Sequence, residues 1–147
     1  MNTSAASAPR ALEPEARSGP APGAATGGVA VLLRLEGLAV FAAALAAYSQ
    51  IGASPLEFAA LFLLPDLAIA AYLAGPRLGA CVYNLAHAYL APLALGAAGV
   101  ALGSPAAAPI ALVWIAHIGF DRALGFGLKY ATGFGDSHLG RIGRAAS

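Results

Sequence analysis

The chain has 147 residues, of which 59% are hydrophobic and 10% charged, whereas soluble domains average roughly 25% charged. Eight basic and seven acidic side chains cannot cover a water-soluble globule, so the surrounding medium these residues imply is lipid. A single cysteine, Cys81, excludes a disulfide scaffold, and a net charge of +1 gives no electrostatic basis for a nucleic-acid partner.

Residues 1–28 are rich in Ala, Pro, Ser and Gly, contain no aromatic residue and carry Arg10, Glu13, Glu15 and Arg17. Such a stretch cannot bury enough apolar surface to offset the entropy of ordering, which predicts a disordered cytoplasmic tail. Four apolar stretches follow at 29–48, 56–74, 78–102 and 106–120, the last with a polar continuation to 130. A helix needs about 20 residues to cross a bilayer core. The reading is therefore all-α, with four transmembrane helices over 29–130 arranged as two antiparallel hairpins, then a Gly-rich basic tail over 131–147. A cleaved leader ending at Ala44-Leu45-Ala46 would need a charged region of more than about 30 residues ending in a Glu, which leaders do not have.

The connections carry helix punctuation. Ser54-Pro55-Leu56-Glu57 is a capping box with Pro at the first helical position, and Ser104-Pro105 predicts a similar start for the fourth helix. Gly75-Pro76 stops the second helix and turns the chain into the third. Gly99 and Gly103 have the small-residue spacing of a helix contact, either with an internal neighbour or with another subunit.

Basic residues favour the cytoplasmic side of a membrane. With four spans, Arg10, Arg17, Arg34, Arg77, Arg122, Lys129, Arg141 and Arg144 all fall on one side, and the opposite connections near 51–54 and 103–104 hold no Lys or Arg. Both termini are expected in the cytoplasm of a multi-pass protein.

Polar residues recur within the spans at matched depth: Arg34 and Glu36 in the first, Asp66 after Pro65 in the second, Asn84 and His87 in the third, His117, Asp121 and Arg122 in the fourth. An intramembrane ionisable group costs on the order of 3 kcal/mol, so these side chains should face one interior, cytoplasm-facing pocket. His117 and Asp121 share a helix face, as do Asn84 and His87. Three kinds of chemistry remain open. His87 and His117 with Asp66 or Asp121, and His138 folded back from the terminal segment, suit a divalent ion such as zinc in a hydrolase or transferase. A His-Asp pair could instead serve as general base or proton relay in a small transporter, or the residues could form a structural network or bind a small molecule or lipid headgroup. No H-E-x-x-H motif is present.

The end of the chain, LGFGLKYATGFGDSHLGRIGR over 124–144, combines six glycines with Lys129, Arg141 and Arg144. Taken together, LLRLEG (32–37), Pro65-Asp66, LAGPRLGA (73–80), YNLAHAY (83–89), WIAHIGFDRALGFGLKY (114–130) and the Thr132-Gly133-Phe134, Asp136 and His138–Gly143 positions resemble a family of small bacterial integral-membrane proteins, the domain of unknown function DUF4260. The resemblance spans residues 30–144 and implies a bacterial inner-membrane protein of four spans. It carries no activity, and it marks Arg34, Glu36, Asp66, Asn84, His87, His117, Asp121, Arg122 and His138 as recurrent polar positions.

Overall fold

The structure, a computed structural model, describes residue 21 and residues 23–142. Most of the tail expected over 1–28 lies outside the described residues, as do residues 143–147. The chain is mostly helical: α1 Gly27–Gln50, α2 Pro55–Phe62, a 3-10 helix Leu64–Ala74, α3 Pro76–Ala86, α4 Leu90–Leu102 and α5 Ala107–Leu124. A short antiparallel hairpin, β1 Asp136–Ser137 and β2 Gly140–Arg141, closes the described chain.

Among the described residues, four helical stretches are long and apolar enough to cross a membrane: Gly27–Gln50, Pro55–Ala74, Pro76–Leu102 and Ala107–Leu124. Their outer faces are fatty. Leu56, Leu73, Leu90, Val100 and Leu102 are all largely exposed, which is unfavourable against water and ordinary against hydrocarbon.

Two of the spans are not uniform α-helices. From Leu64, next to Pro65, which has no amide hydrogen to donate, the second span tightens into a 3-10 helix of 11 residues, far longer than the usual three or four. At about 2.0 Å per residue, against about 1.5 Å in an α-helix, this stretch lengthens the span's reach. The third span, read from sequence as one helix, is broken at residues 87–89 between α3 and α4. Ser54 caps α2 as expected, accepting from the Glu57 amide. Ser104-Pro105 does not act in the same way: α5 starts at Ala107 with Ala106 as an N-cap that makes no side-chain bond. Gly75, at φ 109°, makes the whole turn between the 3-10 helix and α3, in a backbone region that residues with a Cβ seldom adopt.

The core is built around α5, which packs against α1, α2 and α4 and buries Ala107, Ala111, Val113, Ala116, His117, Ile118 and Gly119. α3 packs against the 3-10 helix. α1 and α5 approach closely at Gly37 and Gly119, where a Cβ on Gly119 would lie 2.7 Å from the Phe41 nitrogen and 2.9 Å from the Gly37 carbonyl oxygen. Gly99 meets Ala107 of α5, so the small-residue spacing in α4 serves a contact within the chain.

Candidate metal centre

Four side chains from three spans converge on one point. Asp66 stands in the first turn of the 3-10 helix, His87 at the break after α3, and His117 and Asp121 one turn apart on α5. His87 Nε2 lies 3.2 Å from His117 Nε2, and 3.6 Å from both Asp66 Oδ1 and Asp121 Oδ2. His117 Nε2 lies 3.6 Å from Asp66 Oδ1 and 3.8 Å from Asp121 Oδ2. All four atoms are within 4.8 Å of one another. Ligands about 2.0 to 2.1 Å from a tetrahedral zinc ion are separated by about 3.3 Å, close to five of these six separations.

The surrounding residues orient the lone pairs. His87 Nδ1 donates to the Tyr83 carbonyl at 2.9 Å, which leaves Nε2 without a proton when the ring is neutral, the tautomer that binds metals. The Tyr83 ring stacks on His87 with centroids 3.7 Å apart, and its hydroxyl donates to Asp121 Oδ2 at 3.1 Å. Phe62 meets the His117 ring edge to face at 5.2 Å. Of the four side chains, Asp66 is 38% exposed, Asp121 14%, His87 3% and His117 2%. Three groups are thus shielded and one faces outward.

The segment after α5 folds back onto this cluster. On one edge of the strand-like stretch 128–130, the Leu128 carbonyl accepts from the His138 amide at 3.1 Å and the Tyr130 amide donates to the Asp136 carbonyl at 2.9 Å. On the other edge, Asn84 satisfies Lys129 twice: its Nδ2 donates to the Lys129 carbonyl at 2.9 Å and its Oδ1 accepts from the Lys129 amide at 2.6 Å. Asn84 therefore substitutes for a neighbouring strand. Arg141 Nε and Thr132 Oγ1 both donate to the Asp136 carboxylate, at 2.9 and 2.7 Å.

This fold-back brings in a residue that sequence reasoning used only as a positive charge. Lys129 is buried, and its ammonium makes no hydrogen bond among the described residues; it sits 4.2 Å from the Phe134 ring centroid, 5.1 Å from Tyr83 and 5.7 Å from Phe126. Burial pushes its pKa down from 10.5 to about 8, with Asp121 pulling the other way. The signal in the sequence was a lysine among aromatics and glycines with no acidic residue beside it.

The other polar positions occupy separate places. Glu36, Arg122 and His138 line a second cavity of about 100 Å³ with Tyr89, whose ring lies 4.4 Å beneath the Arg122 guanidinium. His138 stands apart from the four converging groups, because its Nδ1 accepts from the Leu128 amide at 2.8 Å. Burial and the nearby Arg122 charge hold its pKa below the usual 6.5. Arg34 lies over Gly125 at the end of α5. The polar layer read from sequence is therefore distributed among a four-residue cluster, a clamp at Asn84 and a Glu36/Arg122/His138 cavity.

Residues 30–142 match the family described as Domain of unknown function (DUF4260), and the chain belongs to that family. No curated protein and no solved structure matches the chain.

Proposed function

We propose that this protein is a metal-dependent membrane enzyme of the hydrolase or transferase class, with a divalent ion of the zinc type bound by His87, His117, Asp121 and Asp66. The observation that carries this reading is the convergence of two Nε2 atoms and two carboxylate oxygens at 3.2 to 3.8 Å. With both Nε2 atoms unprotonated, four acceptors gathered around one point without a cation are electrostatically unfavourable, all the more so in a low-dielectric interior. The mixed nitrogen and oxygen donor set suits zinc and its neighbours in the transition series.

The uneven shielding favours catalysis over a purely structural ion. Structural zinc sites are closed by four protein ligands, while catalytic ones keep a position for water or substrate. His87, His117 and Asp121 supply three shielded ligands, and the more exposed Asp66 is the arm that can yield its place. A bound ion supplies a water of lowered pKa and polarises a substrate carbonyl or phosphoryl oxygen. With an ion held there, Asp66 would be placed to accept a proton from an attacking water and to pass it to the departing group. Tyr83 and the Tyr83 carbonyl hold Asp121 and His87 in place.

We also propose that both termini lie on the cytoplasmic side of the membrane, on the one-sided distribution of Lys and Arg. The test is metal analysis of detergent-purified protein, with thermal unfolding measured against buffered free zinc. One zinc per chain is expected, with stability that rises by about 2.7 kcal/mol when zinc reaches about 100 times its dissociation constant, and His117→Ala should abolish that dependence. Metal-free protein whose unfolding ignores zinc, yet which His117→Ala still destabilises, establishes a structural polar network instead.

A further inference from the structure

A cavity of about 270 Å³ lies between the second, third and fourth spans, with Leu61, Leu64, Pro65 and Ala68 on one wall and Ala86 and Trp114 on the other. Roughly 150 Å³ of apolar cavity already holds a benzene ring. Its walls are aliphatic and aromatic. The indole nitrogen, a polar group that Trp114 contributes beside it, is already committed, donating to the Ala86 carbonyl at 2.6 Å. Nothing in these side chains can hydrogen-bond a polar ligand, so its natural occupant is hydrocarbon.

The cavity is continuous in sequence with the metal cluster on all three spans. Pro65 precedes Asp66, Ala86 precedes His87, and Trp114 is one turn before His117. The cavity is also partly open, and Leu64 in its lining is half exposed. A ligand can therefore enter sideways from the bilayer, without crossing the polar cap formed by residues 126–142.

We infer that this cavity holds the single hydrocarbon chain of an amphiphilic substrate whose polar head reaches the Asp66, His87 and His117 end of the cleft. The inference rests on the metal-centre reading and adds the substrate class to it: a lipid or fatty acyl compound, with the bond to be broken near the start of the chain. Such a site would take its substrate from the membrane and react it at the edge of the polar cluster.

Trp114 is the only tryptophan in the chain and lines this cavity, so its fluorescence reports on the occupant. The probe is a dibrominated stearic acid, added to zinc-loaded protein in detergent, because bromine quenches an adjacent indole and the carboxylate imitates a polar head. Saturable quenching is expected. It should be weaker by about tenfold or more once zinc is chelated, since a charge-assisted contact at the head is then lost. Ala68→Phe, which fills the cavity and leaves all four ligands in place, should abolish it. A brominated alkane of equal length should quench Trp114 without zinc dependence. Quenching that rises linearly with bromine content and ignores Ala68→Phe overturns the inference, because Trp114 then senses only bulk apolar chains. Saturable quenching indifferent to zinc overturns it as well. Zinc content measured on the same samples separates the two readings: one zinc per chain without saturable quenching removes the lipid site and leaves the metal centre standing.

Discussion

Asn84 carries the load of the fold-back. Its side chain makes two hydrogen bonds to the Lys129 backbone, at 2.9 and 2.6 Å, beside a side chain that is only 3% exposed. Asn84→Ala removes both. The net loss is about 1 kcal/mol per bond, rising toward about 1 to 3 kcal/mol for each group left without a partner away from water, so the segment should lose about 2 to 4 kcal/mol of local stability. Amide exchange over residues 126–142 reads this directly, since it follows the free energy of local opening. Protection there should fall roughly 30-fold to several hundred-fold, with little change along α5. Asn84→Leu, which keeps the volume and loses both bonds, should behave like Asn84→Ala. If Asn84→Leu retains wild-type protection, the clamp is packing and the hydrogen-bond argument is refuted.

Close helix contact gives a second expectation. Gly119→Ala places a methyl group against the Phe41 nitrogen and the Gly37 carbonyl, and should lower stability by about 1 to 3 kcal/mol in a detergent melt. Gly96→Ala, whose Cβ would meet the Ala111 Cβ at an ordinary 3.6 Å, should be neutral or stabilising because alanine is the better helix former. For Lys129, with a folded pKa of about 8 against an ordinary 10.5, the unfolded chain holds the extra proton between those values. Stability should thus rise from about pH 8 to 10.5, and the rise should be missing from Lys129→Met in pH-resolved melts. His138 has the same sign in acid: the stability of its neutral form is present above 6.5 and is lost as pH falls through its lowered folded value. Loosening of residues 126–142 on acidification, absent from His138→Leu, is the corresponding exchange result.

Four apolar stretches were legible in the sequence because hydropathy and span length are local properties, and the structure has helices long and apolar enough to span at each of them. The cluster residues were legible for a related reason. An ionisable side chain in lipid is so unfavourable that Asp66, His87, His117 and Asp121 must find partners, and counting residues from the helix ends placed them at similar depth. Asn84 was grouped with them by its three-residue spacing from His87, but spacing assumes an intact helix. The chain breaks at 87–89, and Asn84 turns to the Lys129 backbone instead. Nothing local announced that the glycine-rich end would form a hairpin, since its pairing is specified by contacts with Asn84 and with the Ala25 amide, which donates to the His138 carbonyl at 2.8 Å.

The departures from regular helix coincide with the two cluster residues that come from outside α5. Asp66 follows the change from α to 3-10 geometry, and His87 occupies the break in the third span, whereas His117 and Asp121 sit on an unbroken helix. In hydrocarbon a carbonyl released by such a break needs a donor, and the structure supplies one beside the site: Trp114 Nε1 donates to the Ala86 carbonyl, while the Tyr83 carbonyl accepts both the His87 amide and His87 Nδ1. The irregular backbone is thus held open by side chains that also shape the cluster and the apolar cavity beside it. A regular third helix would carry its residue 87 on past α3 instead of ending there. The packing of α3 against the 3-10 helix sets the separation of Asp66 from His87, so a small shift of that packing moves Asp66 relative to His87 and leaves the pair on α5, one turn apart on a single helix, undisturbed. Asp66, the most exposed of the four, is the group such a shift releases first.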